Sequence, residues 1–111
     1  MPLGMGVPKT FTVLRREVRV PMEVGVQISG HVELPGSEAT FTQNISSQGA
    51  RVFSTRKWKI NDRLKIATVN GSFQALARVA YCESARGAGF AVGLEFVAPN
   101  GQWIVARPSA E

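Results

Sequence analysis

The sequence is poor in the residues that build covalent and metal-bound sites. Cys82 is the only cysteine and His31 is the only histidine, so an internal disulfide and a thiolate metal cluster are excluded. A lone histidine without a second histidine or a cysteine or carboxylate cluster beside it does not define a metal site. No phosphate-cradling GxxxxGK[ST] loop is present, and no nucleophile can be matched with a base. We therefore expect neither catalysis nor a bound cofactor.

Long apolar runs are also missing. The uninterrupted apolar stretches are only a few residues long, which is too short for a transmembrane helix. Residues 1–8 contain neither a basic leader nor a sustained apolar stretch, so they do not resemble a secretory signal. We expect a cytoplasmic protein without a membrane span. With 111 residues, 44% of them hydrophobic and 19% charged, the chain has the size and composition of one globular domain.

Acidic residues are outnumbered by basic ones. Thirteen Lys and Arg residues face eight Asp and Glu residues, which gives a formal net charge of +5 and suggests an anionic partner. Nine of the thirteen cations are arginines, whose planar fork makes bidentate contacts with phosphates and guanine edges. Solubility alone would account for the charge, but the bias toward arginine favours recognition of an anionic partner.

Hydrophobic residues recur with a period of two almost throughout, and helical periodicity is nearly absent, which is the pattern of half-buried strands. Asn70-Gly71 predicts a type I′ hairpin. We predict an all-β fold, an antiparallel barrel of six to seven strands, in preference to a sandwich. The predicted strands are residues 24–32, 40–43, 50–54, 63–69, 72–81 and 90–96. Five phenylalanines on the apolar faces are assigned to the core: Phe41, Phe53, Phe73, Phe90 and Phe96.

The first polar motif is the arginine-rich segment Arg15-Arg16-Glu17-Val18-Arg19. In an extended segment Arg15 and Arg19 point to the same side, roughly 13 Å apart at about 3.3 Å per residue. They could therefore bracket a ligand of nucleotide size. Arg16 would point the opposite way and contributes only if the segment turns.

The second motif is Asn44-Ile45-Ser46-Ser47-Gln48-Gly49. With Ile45 in the core, Asn44 and Ser46 share a side, where a carboxamide oxygen and a hydroxyl can contact the polar groups of a ligand together. Gly49 suits a turn position that needs a positive φ, or a close approach of a ligand to the backbone. Taken separately, the two motifs also fit structural roles, as a solvated arginine face and a side-chain-stabilised turn.

The order RxxxR followed by NxSxxG resembles the PilZ domain family, the bacterial receptors for the second messenger cyclic di-GMP. The resemblance runs from about Leu14 to Val97, and Gly93-Leu94-Glu95-Phe96 is similar to the closing strand of that family. Many family members carry Asp where this chain has Asn44, and Asn lacks the charge assistance that Asp gives to guanine N–H groups. Leu14, just before RxxxR, offers no fork for a second ligand, so the resemblance favours one ligand per chain. Arg16 could take over that role if the segment turns, which leaves a stoichiometry of one or two ligands open.

Both ends of the chain lie outside the strand pattern, so we predict a flexible N-terminal arm at residues 1–13 and a tail or short helix at residues 99–111, with the helix near residues 101–106. The resemblance implies a PilZ-like barrel at residues 14–98. It also implies that an aromatic residue on a later strand stacks on a base. Tyr81 is the candidate, although its place in the alternating series from Phe73 also fits a core residue. The residues that this resemblance assigns to cyclic di-GMP are Arg15, Arg16, Arg19, Asn44, Ser46, Gly49 and Tyr81.

The function implied is that of a stand-alone receptor or adaptor. Capture of cyclic di-GMP would reposition the N-terminal arm, and a separate, unidentified protein partner would read the change. The oligomeric state stays open. The alternative is a small basic barrel that binds single-stranded nucleic acid, as OB-fold and cold-shock domains do with exposed stacking aromatics. Because the phenylalanines are assigned to the core, we do not expect nucleic acid to be the partner.

Overall fold

The fold is a closed barrel of six antiparallel strands, seen in a computed structural model that describes residues 18–103. Around the barrel the strands follow the order β1-β2-β3-β6-β5-β4, and β4 pairs with β1 to close it. The prediction of an all-β antiparallel barrel is therefore confirmed. The strands are β1 (Gly25–Ser29), β2 (Ser37–Ser46), β3 (Gly49–Ser54), β4 (Arg63–Thr68), β5 (Phe73–Ser84) and β6 (Phe90–Gly101).

The interior of the barrel is filled mainly by alternate residues of the strands, as the period of two requires, although residues 91–94 of β6 are buried in succession. Trp58, in the connection between β3 and β4, is 2% exposed, and its indole N–H donates to the hydroxyl of Ser54 at 3.2 Å. Trp103 follows β6 and packs on Phe73 and Phe96, with ring centroids 4.7 and 5.1 Å away. The largest aliphatic side chains of this core are Val26, Ile28, Ile45, Val52, Leu64, Ile66, Val79, Val92 and Leu94.

Two of the five phenylalanines assigned to the core lie on the outer face instead. Phe41 is 40% exposed, and its ring stacks on that of Phe53 with centroids 5.9 Å apart. Thr42 and Val52 are fully buried, so their strand neighbours Phe41 and Phe53 must face outward. The core assignment was wrong for this pair because period two identifies a shared face without saying which face is inside. Phe73 is 3% exposed and belongs to the core.

The hairpin between β4 and β5 does not have the type I′ geometry expected of Asn70-Gly71. Gly71 has a φ of 81°, but Asn61 is the only non-glycine residue with positive φ in the described part, and a type I′ turn needs positive φ at both central residues. The Asn70 side chain instead accepts the backbone N–H of Ser72 at 2.9 Å. This local hydrogen bond supports an Asx-type turn, and the type I′ prediction was wrong.

Register shifts in the ladder decide which side chains reach the outer wall. Between β5 and β6, Val79 pairs with Leu94 while Tyr81 pairs with Gly93, which leaves Ala80 as an extra residue. Leu94 is 2% exposed and faces inward, so the preceding residue of β6, Gly93, faces outward together with its partner Tyr81. The bulge therefore moves Tyr81 off the core face that the alternation from Phe73 would give it.

The ends of the chain fall largely outside the described residues. These include the predicted arm at residues 1–13 and most of the short helix considered near residues 101–106. The strand β6 continues to Gly101, so strand pairing extends into the segment that the sequence assigned to the tail. Within residues 18–103 there is no helix with the length and apolar character needed to cross a membrane.

Candidate functional site

The two sequence motifs meet at the start of the barrel. Arg19 Nη1 donates a hydrogen bond to Asn44 Oδ1 over 2.9 Å. The chain is fixed at this point because Val20 and Ile45 exchange two backbone hydrogen bonds of 2.8 and 2.9 Å. The last arginine of RxxxR is thus held beside the first residue of NxSxxG. Arg15 and Arg16 lie outside the described residues.

The serine of NxSxxG is engaged within its own turn. Ser46 is fully buried, and its hydroxyl accepts the backbone N–H of Gln48 at 3.2 Å. Its carbonyl oxygen accepts the indole N–H of Trp103 at 2.6 Å. Asn44, by contrast, is half-buried. These contacts give Ser46 a direct part in holding the turn and in joining it to the end of β6.

Gly49 is required for the contact between two strands. A Cβ atom at this position would overlap the backbone carbonyl oxygen of Leu94 on β6, so no larger residue fits without separating β3 from β6. Gly49 is not among the glycines with positive φ, and the positive-φ interpretation was wrong. The close approach that the residue permits is to β6, its neighbour in the sheet.

A cavity of about 210 Å³ opens on the outer wall of the barrel over β5 and β6. Arg19 reaches it from the N-terminal segment and Gln48 from the NxSxxG turn, while the rest of its wall comes from the two strands. Of the residues predicted from the sequence, Arg19 and Tyr81 line this cavity, and Asn44 is bonded to Arg19. The lining consists of Arg19, Gln48, Arg78, Ala80, Tyr81, Gly93, Leu94 and Glu95.

The ring of Tyr81 lies directly on Gly93. A Cβ atom at Gly93 would overlap the ring carbons Cδ2, Cε2 and Cζ of Tyr81. The hydroxyl of Tyr81 accepts a 3.2 Å hydrogen bond from Arg51 Nη1, and Arg51 Nε donates to Gln43 Oε1 at 3.0 Å. Glu83 Oε1 is 3.8 Å from Arg51 Nη2. The Tyr81 ring therefore packs on Gly93, and its hydroxyl is held in place by Arg51.

Sequence reasoning missed Arg78 and Glu95 as residues of the cavity. The two side chains form an ion pair with 2.6 Å between Arg78 Nη2 and Glu95 Oε1. Each is a charged residue in a strand with mostly apolar neighbours. This pattern predicts that the side chain points outward, but it does not identify the neighbouring residue across the ladder. Only the register, in which Arg78 and Glu95 are direct partners, shows that they meet beside Tyr81.

The cavity combines cationic and planar groups. Two arginines, Arg19 and Arg78, and one carboxylate, Glu95, contribute to its wall, together with the Tyr81 ring. The excess of positive charge favours an anionic ligand, and the aromatic ring offers a surface on which a base can stack. These features suit a ligand that carries both phosphate and base.

The family comparison agrees with this geometry. The sequence matches the PilZ domain family over residues 14–102, a span that includes RxxxR, NxSxxG and all six strands. The chain belongs to the PilZ family, a family of cyclic di-GMP receptor domains, and the resemblance inferred from the two motifs is confirmed. Comparison with curated proteins gives no match.

Proposed function

We propose that this protein binds cyclic di-GMP at the outer-wall cavity and acts as a receptor for it. The observation that carries the proposal is the hydrogen bond from Arg19 to Asn44. It joins RxxxR to NxSxxG at the edge of a cavity that also presents Arg78 and Tyr81. Neither motif alone would indicate a site, but together they supply the groups that a guanine nucleotide needs.

The chemistry of these groups matches the ligand. An arginine fork pairs with the O6 and N7 acceptors of guanine, whereas adenine presents an N6 donor, and a mismatched fork costs at least about 1 kcal/mol. Arg15, Arg16 and Arg19 serve as forks and phosphate partners. Stacking of a base on an aromatic ring such as Tyr81 is worth about 1–3 kcal/mol.

The remaining motif residues have supporting roles in this proposal. Asn44 orients Arg19 and offers an acceptor to guanine N–H groups, while Ser46 and Gly49 keep the turn in place against β6. Because Asn44 carries no charge, its hydrogen bonds to guanine lack the charge assistance that Asp would provide. We expect a lower affinity than the Asp-containing version of the same site would have.

Signalling follows from ordering of the segment that carries RxxxR. New charge-assisted hydrogen bonds between its arginines and the ligand favour one position of that segment, and a protein partner recognises the surface so formed. The bridge between Val20 and Ile45 ties the segment to the barrel, which gives it a fixed point about which to rearrange. As a receptor for a bacterial second messenger, the protein is expected to act in the cytoplasm.

Calorimetric titration with cyclic di-GMP, cyclic di-AMP, GTP and a single-stranded oligonucleotide tests this proposal. The oligonucleotide belongs in the set because Phe41 and Phe53 lie on the outer face, which weakens the sequence argument against nucleic acid. We expect saturable binding of cyclic di-GMP, with an endpoint of one ligand per chain as Leu14 suggests. Equal affinity for cyclic di-AMP would refute guanine recognition, and tighter binding of the oligonucleotide would refute the receptor function.

A further inference from the structure

Arg78 is held in one orientation by two different elements. Its Nε and Nη2 atoms donate to Glu95 Oε1 over 3.1 and 2.6 Å, and its Nη1 atom donates to Asn61 Oδ1 over 2.9 Å. The two partners contact different nitrogens of the planar guanidinium group. The plane is therefore fixed, although the side chain remains 33% exposed.

Asn61 is itself fixed by the backbone. Its N–H donates to the carbonyl of Val79 at 2.8 Å, and the N–H of Val79 donates to the carbonyl of Asp62 at 2.9 Å. The φ of Asn61 is 76°, a conformation that asparagine adopts more readily than most residues. These hydrogen bonds hold the connection before β4 against β5, and they place the carboxamide oxygen of Asn61 next to Arg78.

Arg78 has cross-strand partners of both charges. Arg63 lies directly opposite it on β4, where like charges are destabilising, and Glu95 lies directly opposite it on β6 in a favourable ion pair. The two effects on the sheet oppose each other. Because Arg78 also lines the cavity together with Tyr81, its fixed plane is placed where a ligand can contact it.

The neighbouring carboxylate indicates which part of the ligand Arg78 contacts. Glu95 already engages two of its nitrogens, and a phosphate brought to the same edge would be repelled by that carboxylate. The flat face of the guanidinium group has no such conflict, and arginine stacks readily on aromatic and heteroaromatic rings. The fixed plane thus suits a base better than it suits a phosphate.

We propose that Arg78 is a ligand-contacting residue of the cavity, with its guanidinium face stacked on a guanine base, and that Glu95 and Asn61 are positioning residues that set its plane. This inference rests on the proposed function, since it places one base of cyclic di-GMP. It adds a contact that neither RxxxR nor NxSxxG supplies. It also assigns a role to Glu95, an acidic residue in a cavity for an anion.

Calorimetry of cyclic di-GMP binding to the full chain separates stacking from simple charge. Arg78→Lys keeps the charge and loses the plane, so we expect at least tenfold weaker binding. Arg86→Lys is the matched control, because Arg86 is exposed in the turn between β5 and β6 and does not line the cavity; its affinity should match wild type. If wild type binds cyclic di-GMP and the affinity of Arg78→Lys lies within twofold of the wild-type affinity, this inference is overturned while the proposed function stands.

Glu95→Ala provides the second arm and retains Arg78. If Arg78 acted only through its charge, removal of the adjacent carboxylate would tighten binding, whereas loss of a positioning residue weakens it. We expect several-fold weaker binding in Glu95→Ala and partial recovery in Glu95→Gln, which keeps an acceptor of the same reach. Tighter binding in Glu95→Ala would overturn the inference. This outcome is decisive even if Arg78→Lys fails to fold. Absence of binding by wild type would overturn the proposed function itself.

Discussion

Gly93→Ala should displace the Tyr81 ring from the wall of the cavity. The added Cβ overlaps three ring carbons, and overpacking of this kind typically costs about 1–3 kcal/mol. Movement of the ring also breaks the hydrogen bond from Arg51, which is worth about 0.5–1.5 kcal/mol. Alanine in a strand recovers about 0.5–1 kcal/mol relative to glycine. The free energy of unfolding should therefore fall by about 0.5–4 kcal/mol, with a central value of about 2 kcal/mol.

The cause can be isolated in the background of Tyr81→Ala. Without the ring, the methyl group of Gly93→Ala meets no obstacle and should be neutral or stabilising by up to about 1 kcal/mol. Chemical denaturation of wild type, both single variants and the double variant, all without ligand, gives the coupling energy. We expect a coupling energy of about 1.5–4.5 kcal/mol, and additivity within about 0.5 kcal/mol would show that Tyr81 does not lie on Gly93.

Three further predictions concern the site and its supports. Arg19→Ala should weaken cyclic di-GMP binding strongly in calorimetry while ligand-free stability changes by about 0.5 kcal/mol or less; loss of the fold would show that this arginine is structural. Gly49→Ala should lower the melting temperature sharply, because its Cβ overlaps the Leu94 carbonyl, and an unchanged melt would contradict the strand contact. Trp103→Phe should lower the free energy of unfolding, measured by chemical denaturation, by about 0.5–1.5 kcal/mol, because it removes the hydrogen bond to Ser46. An unchanged free energy would show that this hydrogen bond does not stabilise the fold.

The barrel could be predicted from the sequence because its evidence is local. Alternation of apolar residues along each strand indicates a half-buried sheet, and the turn dipeptides Pro35-Gly36 and Asn70-Gly71 separate the strands. Gly36 and Gly71 indeed adopt positive φ, at 85° and 81°. The likeness of RxxxR and NxSxxG to the PilZ family likewise depends only on order and spacing along the chain.

The composition of the cavity could not be predicted, because it depends on register. The bulge at Ala80 reverses the face of Tyr81, and no residue type marks that bulge in the sequence. The ion pair between Arg78 and Glu95 requires β5 and β6 to be aligned across the ladder. The outward position of Phe41 likewise follows from the burial of Thr42, a choice that period two leaves open.

Amide chemical-shift mapping of the labelled full chain during titration with cyclic di-GMP tests the central claim most directly. We expect saturable shifts that are largest at the cavity, in Gln48, Tyr81, Gly93 and Glu95, with little change in the hairpin at residues 69–72. Cyclic di-AMP at the same concentrations should produce smaller shifts at the same amides. Absence of saturable shifts, or shifts concentrated around Phe41 on the other outer surface, would contradict the assignment of the cavity as the cyclic di-GMP site.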